Sequence, residues 1–212
     1  KPLIISCENG LLSLAGTNIP YVTIRGEKDI EEIYNRLLNA KEKHFQTIAL
    51  DSITELAELI LLPYKRLGGD ARQAYGKMQD IINGLVRMFA ALPYHIYFAC
   101  KAERVQNEDG VMLYSPAMPG QKIGAAMPYL FDEVLALRIR EVTGDDGKIK
   151  KEYYLQTGGD GKWSAKDRSG KLDMYEQPNL QNIINKCLGI KKYGKPKWLF
   201  QMLRLYKTEN IR

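Results

Sequence analysis

The chain is poor in the residues that most often build metal and nucleophile sites. It has two histidines, His44 and His95, which leaves no basis for a His-rich metal site or a Ser-His-Asp triad. Its three cysteines, Cys7, Cys100 and Cys187, are widely spaced and form no CxxC pair. An odd, dispersed set reads as reduced intracellular thiols and not as a disulfide framework. No apolar run approaches the ~18 residues of a membrane span, and no signal-peptide pattern is present. Internal repeats and low-complexity blocks are absent as well.

What is there suits a single α/β domain. A length of 212 residues can bury a sizeable core. The formal net charge of +6 is unevenly placed. Residues 191–212 hold seven basic side chains and one acid, which accounts for the whole excess, since the other 190 residues hold 24 of each sign. The basic character therefore belongs to a tail, which can bind nucleic acid or keep the protein soluble.

Apolar runs and their periods organise the chain. Leu3–Cys7 and Tyr21–Ile24 read as strands, and Ile30, Ile33, Leu37 and Leu38 lie on one face of a helix over 28–43. Thr47–Asp51 is a buried strand, followed by a helix over 53–62 that Pro63 ends. A long helix near 72–91 leads to a strand over Tyr94–Cys100. Residues 101–127, with three glycines and two prolines, read as a long loop of functional type. Phe131–Val142 and Ile149–Thr157 form a hairpin around Gly144-Asp145-Asp146-Gly147, and a third strand crosses Trp163–Arg168. A helix begins at Pro178, runs to about Leu188 and stops at Gly189. The fold expected is an α/β core, mostly parallel with helices on both faces, extended by C-terminal antiparallel hairpins. Residues 1–189 form the core and 190–212 a basic, apolar tail.

The strand ending in Asp51-Ser52 carries the strongest chemical signal. A carboxylate costs free energy to bury, so it belongs at the strand's end, where open α/β sheets bind ligands. Asp51 there can orient a Mg²⁺-bound water and Ser52 can hydrogen-bond near phosphates. Both residues equally suit the N-cap of the following helix. Glu8 also ends an apolar strand, so neighbouring parallel strands bring both acids to one rim, where Glu8 can serve as a general base. Its alternative role is that of a turn residue beside Gly10. No GxxxxGK(S/T) phosphate loop occurs in the 212 residues.

LIISCENG followed by TIALDSIT resembles the RecA-type ATPase core, and more closely the RecA-like nucleotide-binding proteins of phages, which include single-strand annealing recombinases. ENGLLSLAG, FDEVLALRIR and WSAKDRSGKL extend the resemblance over roughly residues 1–189. It implies ATP and Mg²⁺ as cofactors, with Glu8 activating water and Asp51 holding the metal through water. It also implies one further strand, normally central, followed by a phosphate loop lying before Lys1; a relative without that loop is the rival reading. Lys166 and Arg168, two apart in an extended strand, share a face. The resemblance makes them catalytic residues supplied in trans within a filament or ring; otherwise they are a solvated basic strand end. Lys101 stands where RecA has a phosphate-sensing glutamine. The loop 104–124 corresponds to a DNA-contacting loop, with Arg104, Tyr114 and Lys122 as its nucleic-acid contacts, although ordinary loop packing accounts for its composition equally well. The implied partner is single-stranded DNA, with a single-strand-binding protein as a further one, in the cytoplasm of a bacterial host.

The tail lies outside the resemblance. Lys191, Lys192, Lys195 and Lys197 precede a strongly apolar segment, which reads as a helix packed on its own domain or as a docking or DNA-binding helix. Against the ATPase reading stand a non-catalytic nucleic-acid-binding or assembly module with a degenerate core, and a helicase or helicase loader.

Overall fold

The computed structural model describes residues 1–8, 10–68, 70–106, 109–144, 146–190 and 201–206. Their elements run, in order, β1 (Pro2–Ser6), β2 (Tyr21–Thr23), α1 (Glu27–Leu38), β3 (Thr47–Asp51), α2 (Ile53–Arg66), α3 (Ala71–Ala90), β4 (His95–Gln106), β5 (Met112–Pro116), α4 (Gln121–Ala126), β6 (Glu133–Thr143), β7 (Ile149–Gln156), β8 (Lys166–Asp167), β9 (Tyr175–Glu176), α5 (Leu180–Leu188) and β10 (Gln201–Tyr206). The strands form one sheet in the order β2-β1-β3-β4-β10-β6-β7-β9, with β5 hydrogen-bonded to β4 and β8 to β6. Strands β2 to β6 along that path are parallel; β7, β8 and β9 pair antiparallel. The α/β architecture anticipated from the apolar periods is thus present.

Alternation along β4 shows how the layers are built. Ile96, Phe98 and Cys100 enter the larger core, beneath α1, α2 and α3, while Tyr97 and Ala99 enter a smaller core against α5. A strand buried on both faces reads as a continuous apolar run, as this one does. Phe98 sits edge-on between Phe89 of α3 and Phe131, with ring centroids 6.0 and 5.7 Å away. α5 is framed by its Asn179 cap, which accepts from the Asn182 N–H, and by Gly189 in the left-handed region at φ 66°.

Three segments depart from the sequence reading. Residues 101–127 are not a loop: β4 continues to Gln106 and turns back as β5, and α4 follows. Glycines and prolines hid this arm because they mark its turns and close contacts. A Cβ on Gly124 would lie 2.7 Å from the Pro116 carbonyl oxygen, so only glycine lets α4 rest on β5. α2 passes through Pro63 to Arg66. Only one turn follows the proline, and the Leu67 N–H still bonds the Pro63 carbonyl at 3.2 Å. Trp163–Arg168 contributes only the two-residue β8 and a bridge from Trp163 to Tyr114.

The largest correction concerns the tail. Its described part is a strand, β10, inserted parallel between β4 and β6. Leu203 and Leu205 enter the larger core and Met202 the smaller one. A helix there would have left β4 and β6 facing each other across a gap with unpaired backbone groups, a cost that outweighs the helical look of the sequence. The central position that the resemblance reserves for the strand before a phosphate loop is the one β10 occupies. The tail lysines Lys191, Lys192, Lys195 and Lys197 lie outside the described residues. Among the described residues, no helix is long and apolar enough to cross a membrane.

β10 joins both cores, so it should be unusually sensitive. Leu203, fully buried, should lose about 2–5 kcal/mol on substitution by alanine. Leu12, 90% exposed, should lose no more than about 0.5 kcal/mol on the same change. Urea unfolding of the two variants checks the contrast; equal losses would mean β10 contributes little to the sheet.

Candidate active site

Parallel pairing sets the site by register. Ser6 on β1 stands opposite Asp51 on β3, which places Glu8 and Asp51 at the C-terminal rim of adjacent strands. The Cys7 N–H donates to the Asp51 carbonyl at 2.8 Å, so the chain stays tied to β3 as it leaves the sheet. The peptide between Asp51 and Ser52 is cis.

Ser52 is both a cap and a link. It is fully buried; its hydroxyl accepts from the Glu55 N–H at 3.3 Å and donates to Glu8 Oε1 at 2.7 Å. Ser52 is thus the N-cap of α2, and the same hydroxyl reaches Glu8 at the rim. Lys101 reaches the same carboxylate from β4: its Nζ lies 3.1 Å from Glu8 Oε1 and 3.3 Å from Glu55 Oε2. The Lys101 N–H donates to Thr54 Oγ1 at 3.0 Å, which fixes where the side chain starts. Thr54 and Glu55 were not singled out from sequence. The Ser52-x-x-Glu55 spacing, a capping-box pattern, was the signal available for Glu55.

Charge follows from this crowding. Burial alone would lower the Lys101 ammonium, but hydrogen bonds and charge pairing with Glu8 and then Glu55 outweigh it and hold the group above its ordinary value. Cys7, beneath the rim, is pushed up to about 12 by burial and by the negative field of Asp51, Glu8 and Glu55. It stays a thiol at neutral pH and cannot act as a nucleophile there.

Lys166 and Arg168 do not join this cluster within one chain. Asp167 of β8 pairs with Glu133, which is level with Met202 and hence with Tyr97. Lys101 is four residues further along β4, about 13 Å at ~3.3 Å per residue. Lys166 Nζ donates to the carbonyls of Pro128 and Phe131 at 2.7 and 2.6 Å, and Arg168 pairs with Asp132 at 2.9 Å. Arg104 and Lys122 are exposed on the arm and on α4. Tyr114 is half-buried with its ring stacked on Trp163, centroids 4.4 Å apart, so one of its faces is already covered.

A mostly parallel sheet with helices on both faces and acids at its C-terminal rim defines an α/β core of the P-loop NTPase type. The family model described as an AAA domain, AAA_24, matches residues 1–169, and the chain belongs to that family. No curated protein and no solved structure matches it. The family is one of nucleotide-binding ATPases, for which Mg²⁺ is the usual metal. The carboxylates of Asp51 and Glu8 and the hydroxyl of Ser52 are hard oxygen donors suited to that ion and its waters.

Removing the Lys101 ammonium should leave Glu8 and Glu55 without their shared cation. Lys101→Met should cost about 1–2 kcal/mol, the range for a partly buried pair. Because the folded state holds this lysine above its unfolded value, its contribution is present up to about pH 10.4 and is lost as pH rises through the folded pKa. Chemical denaturation between neutral pH and pH 11 should show that alkaline loss in the native protein and a smaller one in Lys101→Met.

Proposed function

We propose that this chain is the core of an ATP-dependent, RecA-like protein of the phage type, which binds single-stranded DNA for annealing or strand pairing. The observation that carries the reading is the meeting of Glu8, Ser52 and Lys101 beside Asp51 at one rim of the sheet. Glu8 accepts a proton from the attacking water, and the Ser52 hydroxyl orients its carboxylate. Asp51 holds Mg²⁺ through water, which neutralises phosphate charge when the ion is bound. Lys101, held between Glu8 and Glu55, is a cation that a γ-phosphate can draw away, releasing Glu8 to act as a base.

The DNA-facing part of the reading rests on the arm. Arg104 and Lys122 present exposed charge on the segment that continues directly from Lys101. Tyr114 supports the arm by stacking on Trp163 and offers at most one face to a base. The trans role falls to Arg168, whose side chain is 59% exposed and whose partner Asp132 is at the surface. Lys166 braces the turn at 128–131 and positions the segment that carries Arg168. A copy presenting Arg168 to its neighbour's rim makes a filament or ring the working form.

The engagement of Glu8 by both Ser52 and Lys101 favours one second reading, a nucleic-acid-binding module that does not hydrolyse ATP. ATP turnover with and without single-stranded DNA separates the two. On the ATPase reading, Glu8→Gln should lower kcat by about 10²–10⁴-fold while leaving nucleotide binding in place. Arg168→Ala should lower it by about 10³-fold or more. DNA binding without turnover sustains the module, and turnover insensitive to Glu8→Gln removes the base from Glu8.

The DNA contacts have their own readout. Each cation that meets a phosphate contributes about 0.7 to the slope of log K against log salt for a single strand. Arg104→Ala and Lys122→Ala should each flatten the slope by about that amount. Unchanged slopes would move the contact surface elsewhere.

A further inference from the structure

Below the sheet, on the side away from the candidate active site, three acidic or thiol groups converge from three elements. Glu133 opens β6, Asp167 lies opposite it on β8, and Cys187 comes from the last turn of α5. One ligand atom from each lies within 4.8 Å of the other two. Glu133 is fully buried, and Cys187 is 6% exposed.

Hydrogen bonding accounts for only part of this cluster. Glu133 Oε1 accepts from the Ser169 N–H at 3.2 Å; among the described residues Oε2 has no donor, and only by carrying a proton can Glu133 hydrogen-bond the Asp167 carboxylate beside it. Asp167 accepts from Ser169 Oγ, Gly170 N and Leu172 N at 2.6, 3.1 and 2.9 Å. The nearby cations are directed elsewhere. Lys166 is bound to the Pro128 and Phe131 carbonyls, Lys171 to the Cys187 carbonyl at 2.8 Å, and Arg168 to Asp132. A buried carboxylate oxygen beside a second carboxylate and a thiol calls for a positive charge between them.

We propose that Glu133, Asp167 and Cys187 form a site for a zinc-class divalent cation, with water or the Ser169 hydroxyl as fourth ligand. The donor set is that of a borderline metal: a thiolate excludes Mg²⁺ and Ca²⁺, and two carboxylates suit zinc better than Cu(I). Donors 2.0–2.3 Å from zinc lie roughly 3.3–3.8 Å apart, so the cluster needs to close by about 1 Å. Protons compete with the ion for the same donors. Burial, with Asp167 beside it, pushes Glu133 up to about 8, and burial raises Cys187 to about 11. Binding displaces the thiol proton and any proton on Glu133 to solvent. The ion would tie β6, β8 and α5 together, and it needs no nucleotide.

The test uses protein stripped with a chelator and titrated with Co²⁺. One equivalent per chain should bind, with a thiolate-to-cobalt charge-transfer band and the strong visible bands of a tetrahedral site. Zn²⁺ should displace it, and millimolar Mg²⁺ should not. Cys187→Ser should abolish the charge-transfer band while Cys7→Ser keeps it. Glu133→Gln should weaken binding by about tenfold or more, since outer-shell losses alone cost ~10–100-fold. Should Cys187→Ser fail to fold, Glu133→Gln carries the test. Absence of cobalt binding in the native protein, or a band that persists in Cys187→Ser, overturns the site; the two carboxyl groups would then be held by a shared proton.

Discussion

The fold depends on six residues filling a gap one strand wide. β4 and β6 run parallel and each presents a row of backbone N–H and C=O groups to the space between them. Unpaired, those groups would be buried without water. β10 satisfies both rows, with Leu203 matched to Phe98 on one side and to Val134 on the other. Its side chains also enter both cores. Without it, the helices on each face would cover two half-sheets and not one.

Strand pairing has an electrostatic consequence in two places on the sheet. Strands that run in the same direction deliver their terminal polar residues to the same rim, so like charges gather. At the C-terminal rim Glu8, Asp51 and Glu55 gather, and Lys101 offsets them from the adjoining strand. Near the start of β6, Glu133 and Asp167 gather through antiparallel pairing, and the neighbouring Lys166 and Lys171 bond to backbone carbonyls instead. Glu8, Glu55 and Lys101 of the first cluster are partly open to solvent, whereas Glu133 of the second is fully buried beside a half-buried Asp167. An ion pair offsets the first cluster, whereas the second sets a buried carboxyl group against a second one, where charge is costlier.

Much of this was readable in the sequence because it is written in local periods. Strands ending in Cys7, Asp51 and Cys100 announce themselves by apolar runs, and Asn179 and Gly189 mark the ends of α5 by cap chemistry. Neighbouring parallel strands were enough to place Glu8 beside Asp51. β10 was not readable, since Met202, Leu203, Leu205 and Tyr206 fit a helical face nearly as well as a strand. What decides between them is the space between β4 and β6, strands that come much earlier in the chain. From the sequence Lys101 is a residue at a phosphate-sensing position; its pairing with Glu55 is not legible there, because Glu55 enters from the first turn of α2. The arm was mistaken for a loop because its strands are short and half exposed, so neither face carries a clean apolar pattern.

β4 is one unbroken strand of twelve residues, half of it inside the sheet and half of it outside. From Lys101 to Gln106 the outer half projects roughly 17 Å at ~3.3 Å per residue. Pairing with β5 doubles this rod, and the close seat of Gly124 on Pro116 braces its base. Were such a rod to tilt as a body, its fulcrum would be the charged rim. Tilting it by about 10° at Lys101 carries its tip about 3 Å, by simple proportion to that length. A displacement too small to disturb the core is therefore amplified to the width of a water molecule at the far end.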